Sequence, residues 1–266
     1  MIASLAMYDH PAQRWANDAI WAALGAALRE RDIDAPATLD QDLPVEDVWR
    51  APDLLLAQCC GYPLVADDTL DLRVVAVPRY AVPGCTPGRH LSHLVVRDTE
   101  RASDLAAFRG RIAAINAPLS NTGTNLFRDA LADVADASPF FSAVVTTGSH
   151  RQSALAVRTA AADIAAIDAV TYAALARFEP EALAGLRTIA VTRPSPTLPF
   201  VTARATPMAT VAALRAALTA VANDPRLDSA RDALFLSDIV PSGGHRYATL
   251  LALARKAATR GYPHLV

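Results

Sequence analysis

The sequence lacks long apolar runs and a marked excess of charge of either sign. No apolar stretch approaches the ~18–20 residues that a membrane-spanning helix requires. The formal net charge is −2, which provides no general attraction to nucleic acid or to an anionic membrane surface. We therefore expect neither membrane insertion nor a nucleic-acid partner.

Cysteine is also scarce: the only cysteines are Cys59, Cys60 and Cys85. Adjacent residues of an extended segment point to opposite faces, so at most one of Cys59 and Cys60 can pair with Cys85. Buried thiols are the alternative. The spacing is not that of a metal site, and we expect neither a metal nor a cofactor.

Familiar catalytic patterns are missing as well. The chain has no phosphate loop with G-K-[ST], no G-x-S-x-G and no H-E-x-x-H. Ser149 and His150 are adjacent and diverge, so they do not form a nucleophile–base pair. His90 and His93 have no evident third metal ligand. These absences favour a binding protein without catalytic residues.

The first ten residues, MIASLAMYDH, have no basic region and reach a charged aspartate after only eight residues. They predict a first strand rather than a secretory signal. The chain as written carries no export signal, and the sequence leaves its compartment open.

The rest of the chain is rich in apolar residues, which make up 52% of it, whereas charged residues make up 20%. Short apolar runs alternate with longer Ala/Leu/Arg-periodic stretches, a pattern typical of an α/β protein with mainly parallel sheets. The predicted strands are 2–7, 53–57, 73–78, 91–96, 111–116, 142–147, 163–168, 186–191 and 199–204. The predicted helices are 12–31, 123–135, 149–160, 170–177, 207–222, 226–236 and 244–260.

Two turn-rich breaks, 82–90 and 193–199, flank a compact strand–helix block. They predict two lobes, with residues 1–92 and 196–266 in lobe 1 and residues 93–195 inserted as lobe 2. The chain is expected to cross near 90–96 and 193–199. Two-lobed α/β proteins bind ligands in a crevice at the carboxyl ends of strands.

The segment PLSNTGTN, residues 118–125, follows a predicted strand and begins a predicted helix. A helix start presents unpaired N–H groups and partial positive charge, which suit an anion. Ser120, Asn121, Thr122 and Gly123 lie at this start. Simple capping by Asn121 or Thr122 is the alternative, but a cap needs only one side chain.

The segment TTGSH, residues 146–150, repeats this arrangement after the next predicted strand. Ser149 is placed to cap a helix, and His150 offers an imidazole donor beside the helix start. An exposed histidine without a ligand is the alternative.

Asp168 ends the following strand, where a carboxylate is costly unless it has a partner. It is equally suited to cap the next helix or to accept hydrogen bonds from a ligand's amine or protonated oxygen. Tyr8, Gln58 and His90 are candidates from the first lobe to complete the rim of the site.

Taken in order, these segments resemble the phosphate/phosphite/phosphonate-binding proteins of ABC transporters (PhnD-like), which have the type II periplasmic-binding-protein fold. The resemblance rests on SLAMYD, DLLLAQCCGYPL, GCTPGRHLSHLVVR, INAPLSNTGTNLFR, FFSAVVTTGSHRQSALAV, ADIAAIDAVTY and GYPHLV. It covers nearly the whole chain. His90 stands where many relatives have a tyrosine, and Asn121 stands where a third hydroxyl is common.

The resemblance implies a solute-binding protein that captures a small phosphonate-like or phosphate-like oxyanion for an ABC permease or a sensor. In the family, the helix start and the G-S-H turn hold the oxyanion, which matches Ser120, Asn121, Thr122 and His150. Asp168 matches an acidic residue that meets the rest of the ligand. The resemblance also implies a periplasmic location and places Cys60 and Cys85 within bridging distance in lobe 1.

The alternative function is an enzyme on the same fold, of the dehydratase or pyrimidine-precursor synthase type. It would use His150 or Asp168 as its general base.

Overall fold

The computed structural model describes residues 1–134 and 139–265. The last residue of the predicted helix 123–135 lies outside the described residues. Strands are β1 Ile2–Ser4, β2 Leu54–Gln58, β3 Leu72–Tyr80, β4 Arg89–His90, β5 Ser92–Arg97, β6 Ile112–Ile115, β7 Ala143–Thr146, β8 Ile164–Asp168, β9 Leu186–Val191, β10 Ser195–Pro196, β11 Phe200–Ala203 and β12 Leu236–Pro241.

Helices are α1 Arg14–Arg29, α2 Val45–Arg50, α3 Pro63–Ala66, α4 Leu126–Ala132, α5 His150–Arg158, α6 Ala169–Phe178, α7 Met208–Ala222, α8 Asp228–Ala233 and α9 Ala248–Thr259. Within the described residues, none of these helices combines the length and apolar character needed to cross a membrane. The fold is α/β, as the alternation of apolar runs and periodic stretches predicted.

The chain divides into two compact units. The first unit contains Met1–Ala81, Thr86–Arg89 and Pro196–Tyr247, and the second contains Val82–Cys85, His90–Ser195 and Ala248–Val266. The chain therefore passes between the units at 81/82, 85/86, 89/90, 195/196 and 247/248. The short strands β4 and β10, which form a two-stranded sheet, span the passages at 89/90 and 195/196.

The first unit contains a five-stranded sheet in the order β1-β2-β11-β3-β12. Every residue of β2 is buried, as expected for a strand covered on both faces. β1 and β2 pair in parallel, but β11 is antiparallel to β2 and β3, and β12 is antiparallel to β3. This sheet is therefore mixed, not mainly parallel, because β11 inserts between two strands that run the other way.

The second unit contains a five-stranded sheet in the order β7-β6-β8-β5-β9. β6 is parallel to both neighbours, whereas β5 is antiparallel to β8 and β9. The carboxyl ends of β6, β7 and β8 thus lie at one edge of the sheet. Because Ser92 is in register with Asp168, the start of β5 lies at the same edge.

The C-terminal segment departs from the predicted domain division, which assigned residues 196–266 to lobe 1. Residues 248–265 pack in the second unit, where Ala257, Tyr262 and Leu265 join a core with Phe127. Polar contacts add to this core. The side-chain amide of Asn125 donates to the Leu250 carbonyl at 3.3 Å, and Lys256 Nζ lies 2.8 Å from Asp133 Oδ1. These contacts explain why the segment belongs with the second unit.

The cysteines also depart from expectation. Cys59, Cys60 and Cys85 are thiols, so the predicted Cys60–Cys85 disulfide is not formed in this structure. Both cysteines were expected in lobe 1, but Cys85 belongs to the second unit. Burial, followed by the nearby Asp168 carboxylate, raises the pKa of the Cys85 thiol to about 12.

Candidate functional site

The polar residues predicted from three separate loops come together in the second unit. The loops follow β6, β7 and β8, whose carboxyl ends share one edge of the sheet. We call the resulting group the second-unit cluster; it consists of His90, Ser120, Asn121, Thr122, His150 and Asp168.

The turn Asn121–Asn125 is a π-helical turn that leads into α4. Its wide geometry shows in the bond from the Asn125 amide to the Ser120 carbonyl, at 2.9 Å, which spans five residues. The Ser120 hydroxyl caps the turn by accepting from the Gly123 amide at 3.0 Å. All five residues of the turn are buried. Single π-helical turns of this kind are frequent at functional sites.

Gly123 is required in this turn for steric reasons. A Cβ atom added there would lie 1.8 Å from Asn116 Oδ1 and 3.2 Å from His150 Cε1. No side chain fits unless Asn116 moves. The glycine therefore allows the strand end at Asn116, the turn and His150 to approach one another closely.

His150 is held in one tautomer by its two hydrogen-bond partners. Its Nδ1 lies 3.1 Å from the Ala166 carbonyl, which only accepts, so Nδ1 carries a proton. Burial is the largest influence on this ring and lowers the pKa of His150 below its ordinary value. In the neutral ring Nε2 is an acceptor, and the Thr122 hydroxyl donates to it at 3.1 Å.

His90 and Asp168 form a buried pair. His90 Nδ1 lies 2.9 Å from Asp168 Oδ2, and both side chains are almost completely inaccessible to solvent. Burial opposes the charge of Asp168, but His90, His150 and the Thr171 amide hold the pKa of the carboxyl below its ordinary value. His90 was expected from the first lobe; it belongs to the second unit, because β5 begins beside the end of β8.

The two oxygens of Asp168 are held differently. Oδ1 accepts from the backbone amides of Val170 at 2.8 Å and Thr171 at 3.1 Å, which caps α6. Oδ2 lies close to His90 in the ion-pair contact but, among the described residues, accepts no hydrogen bond. The capping alternative is therefore realised, and any contact of Asp168 with a ligand would be additional to these bonds.

Asn121 and Ser149 have structural partners of their own. The side-chain amide of Asn121 donates from Nδ2 to Ser195 Oγ at 2.9 Å, and its Oδ1 accepts from the side-chain Nδ2 of Asn125 at 3.3 Å. The Ser149 hydroxyl caps α5 by accepting from the Gln152 amide at 3.1 Å. Ser92 adds a bond from its hydroxyl to the Thr122 carbonyl at 2.8 Å. The cluster is thus held by a connected network of hydrogen bonds.

One backbone donor remains at the turn. In residues 1–134 and 139–265, the amide of Thr122 donates to no carbonyl or side-chain oxygen. The residue is buried. Because buried N–H groups normally have acceptors, this amide is the donor that an oxyanion at this turn would use.

Tyr8 and Gln58 belong to the first unit, where they meet a residue that the sequence did not single out. Gln58 donates to the Tyr80 hydroxyl at 2.9 Å, and the rings of Tyr8 and Tyr80 pack edge to face with centroids 5.4 Å apart. Tyr80 ends β3, and its position at a strand end is the signal that would have found it.

Other residues of the second unit were also missed. Asn116 directly follows β6, whereas Asn125 ends the segment 118–125 and Ser195 lies in the turn-rich break 193–199, where neither was singled out. The strand end alone identifies Asn116. Asn125 and Ser195 are recognisable only through their bonds to Asn121. In the part of the chain that the structure describes, no group of His, Cys, Asp and Glu side chains is arranged to hold a metal ion.

A family model of known proteins covers most of this chain. Residues 52–247 match the family described as "ABC transporter, phosphonate, periplasmic substrate-binding protein". The chain belongs to this family. The match confirms the resemblance seen in the sequence and the role in solute binding. It does not support the alternative hypothesis of an enzyme, because the family consists of substrate-binding proteins.

Solved structures support the same fold for this phosphonate-family protein. PhnD1 from Prochlorococcus marinus, in complex with methylphosphonate, matches with a TM-score of 0.74 at 14% identity and covers 91% of this chain and 93% of its own. A binding protein of an ABC phosphonate transporter from Pseudomonas aeruginosa matches with a TM-score of 0.73 at 16% identity, over 91% and 82%.

A third similar structure is a Xanthomonas citri protein bound to a chloride ion, with a TM-score of 0.72, 16% identity, and coverage of 98% of this chain and 97% of its own. No curated protein sequence matches the chain. At these identities the structural matches show the type II periplasmic-binding-protein fold and not the ligand.

Proposed function

We propose that this protein binds a small oxyanion of the phosphonate or phosphate type at the second-unit cluster and delivers it to an ABC permease or a sensor. The observation that carries this proposal is the buried amide of Thr122, left without an acceptor in the described chain. Oriented amides at the start of a helix stabilise an anion through their partial positive charge.

The side chains around the Thr122 amide can bind an oxyanion without placing a formal positive charge opposite it. The Ser120 hydroxyl accepts from Gly123 and still has its own hydrogen to donate. The Thr122 hydrogen is committed to neutral His150, so we assign its hydroxyl to fixing the turn rather than to donating to the ligand. Recognition then depends mainly on the Ser120 hydroxyl and the backbone.

Asp168 gives the site its preference for a ligand with a proton or an amine. Its carboxylate is ionised and buried, and it would repel a fully deprotonated oxyanion brought close to it. Its ion-pair contact with His90 and its cap of α6 hold it in place. We therefore expect monoanionic or amine-bearing ligands to bind more tightly than dianionic ones.

The affinity from the donors assigned above can be bounded. Charge-assisted hydrogen bonds contribute about 1.5–3 kcal/mol each, so the Thr122 amide and the Ser120 hydroxyl together supply about 3–6 kcal/mol. A micromolar complex of about −8 kcal/mol, after the cost of ordering the ligand and the protein, therefore requires further contacts with the rest of the ligand.

The test is calorimetry of the whole chain with methylphosphonate, phosphate, phosphite, sulfate and acetate. Replacing both Ser120 and Thr122 by Ala should weaken binding of the best ligand by about 2–5 kcal/mol, from the lost donor and the loosened turn. Because Ser120 also caps the turn, the same variant should lose about 1 kcal/mol of stability.

The matched control is Asp104→Ala, which removes a capping bond of similar length, 3.1 Å to the Ala107 amide, elsewhere in the second unit. It should lower stability without changing affinity. Unchanged affinity in the Ser120/Thr122 variant would show that the segment is only a helix cap, and the proposed oxyanion site would be wrong.

A further inference from the structure

A pocket of about 360 Å³ lies in the first unit, and no residue of the second-unit cluster lines it. Its volume is within the range of small-molecule sites. Three arginines and a group of apolar side chains line it. We call it the arginine pocket and define it by Arg73, Arg204, Arg215, Leu72, Val74 and Met208.

The arginines of this pocket have donors that the protein does not use. Arg215 donates from Nε to the Val75 carbonyl at 3.1 Å, and in the described chain its two terminal nitrogens have no acceptor. Arg73 donates from Nη2 to the Arg204 carbonyl at 2.8 Å, whereas its Nε is buried without an acceptor. A buried charged donor without a partner is costly, which points to an acceptor supplied from outside.

The positive charge of the pocket is poorly balanced by the protein. Among the described residues, the carboxylate paired with its arginines is Asp71, whose Oδ1 lies 3.2 Å from Arg204 Nε. Both side chains are well exposed, at 80% and 60%, so solvent screens this pair strongly. No acidic residue is among those that line the pocket. The arginine pocket therefore carries a net attraction for anions.

The apolar lining narrows the class of anion. Leu72 and Val74 come from β3, and the Met208 side chain contacts the Arg73 guanidinium. An inorganic ion would use only the arginines and leave this surface in water. We propose that the arginine pocket binds a small organic anion in which a phosphoryl or carboxyl group is joined to a short hydrocarbon part.

The experiment follows the arginine Nε–Hε signals by ¹⁵N-resolved NMR of the whole chain. The probes are n-butyl phosphate, inorganic phosphate and n-butanol. Signals are assigned from their loss in Arg73→Lys and Arg215→Lys. We expect n-butyl phosphate to shift Arg73 and Arg215 saturably, inorganic phosphate to bind at least fivefold more weakly, and n-butanol to leave both signals in place.

Two variants test whether n-butyl phosphate binds through the arginines of this pocket. Replacing both Arg73 and Arg215 by Gln should raise the dissociation constant of n-butyl phosphate at this pocket at least tenfold. Arg79→Gln, which removes an arginine elsewhere in β3 that pairs with Asp238 at 3.1 Å, should not change it. The Ser120/Thr122 double alanine variant should keep the response of Arg73 and Arg215, so this site and the oxyanion site are tested independently.

Several results would overturn the proposal. One is the absence of a saturable shift at Arg73 and Arg215, which is measured in the wild-type chain and does not depend on folding of a variant. Another is an equal shift at Arg79, which would show diffuse attraction to phosphate. A third is a response to a hexaglutamate peptide but not to n-butyl phosphate, which would make the pocket a contact for an acidic partner.

Discussion

The second-unit cluster and the arginine pocket of the first unit present donors to anions in opposite ways. The cluster is buried and held by hydrogen bonds within the protein, and its unused backbone donor is the neutral amide of Thr122. The pocket is lined by guanidinium groups, and one of them pairs with a carboxylate across exposed side chains. Neutral fixed donors discriminate by geometry, whereas formal charges near solvent attract anions broadly and are screened by salt.

The largest loss of stability should come from Asp168→Ala, because this residue both caps α6 and faces the buried His90 ring. We expect a loss of about 2–4 kcal/mol in the free energy of unfolding. Removal of the cap costs about 1 kcal/mol, and leaving the buried imidazole of His90 without its partner costs about 1–3 kcal/mol. Urea unfolding measures it. Asp168→Asn keeps a capping oxygen and should lose less; equal losses in the two variants would contradict the assigned roles.

The next largest loss of stability should follow from a substitution at Gly123, which lies close to the Asn116 side chain. Gly123→Ala places a methyl group where Asn116 Oδ1 now lies, and we expect a loss of about 1–3 kcal/mol from overpacking. The double variant Gly123→Ala with Asn116→Ala should recover part of this loss. Gly25→Ala is the matched control, since its Cβ would meet only the flexible end of Arg29 at 3.0 Å. Additive losses in the double variant would show that Asn116 is not the obstacle.

A smaller effect should appear in the pH dependence of stability. The folded pKa of His150 lies below its ordinary value of 6.5 because the ring is buried. The unfolded chain therefore binds more protons below pH 6.5, and stability should fall as the pH drops through that range, by at most about 1.4 kcal/mol per pH unit for one group.

His93, whose pKa burial also lowers, adds to this slope, and Asp168 adds to it below its ordinary pKa of 3.8. Chemical unfolding between pH 7.5 and 5 should show a flatter profile for His150→Gln. His245→Gln, an exposed histidine of the first unit, should keep the wild-type profile. An unchanged profile in His150→Gln would mean that His150 is protonated in the fold.

The smallest effect should follow from Arg204→Gln, which breaks the exposed pair with Asp71. We expect no measurable change in the urea midpoint, because exposed ion pairs are strongly screened. The contrast with Asp168→Ala separates the two regions: one depends on buried bonds, and the other presents its charges to solvent. A loss of stability in Arg204→Gln as large as that in Asp168→Ala would contradict this distinction between the two regions.

Much of the second-unit cluster was predictable from the sequence, because strand ends and helix starts are local signals. Ser120 and His150 each follow a short apolar run. Parallel neighbours β6 and β7 bring these two loops to one edge of the sheet without further information. The predicted role of the hydroxyls was less complete, since Thr122 and Ser149 are engaged by His150 and by the α5 cap.

The features that sequence reasoning missed depend on tertiary packing. Strand β12 follows a helix-favouring stretch, and the predicted helix 226–236 instead ends at Ala233. The placement of α9 in the second unit depends on contacts more than a hundred residues apart, such as Lys256 with Asp133. The arginine pocket unites residues from β3 and α7 that no local pattern connects.

The most direct test of the central claim is an NMR titration of the backbone amide of Thr122 with methylphosphonate. The account predicts that this amide proton signal moves saturably downfield, as expected for a donor that gains a charged acceptor, and that its shift follows the affinity measured by calorimetry. A Thr122 amide signal that stays in place while methylphosphonate binds elsewhere in the chain would contradict the claim that this turn holds the oxyanion.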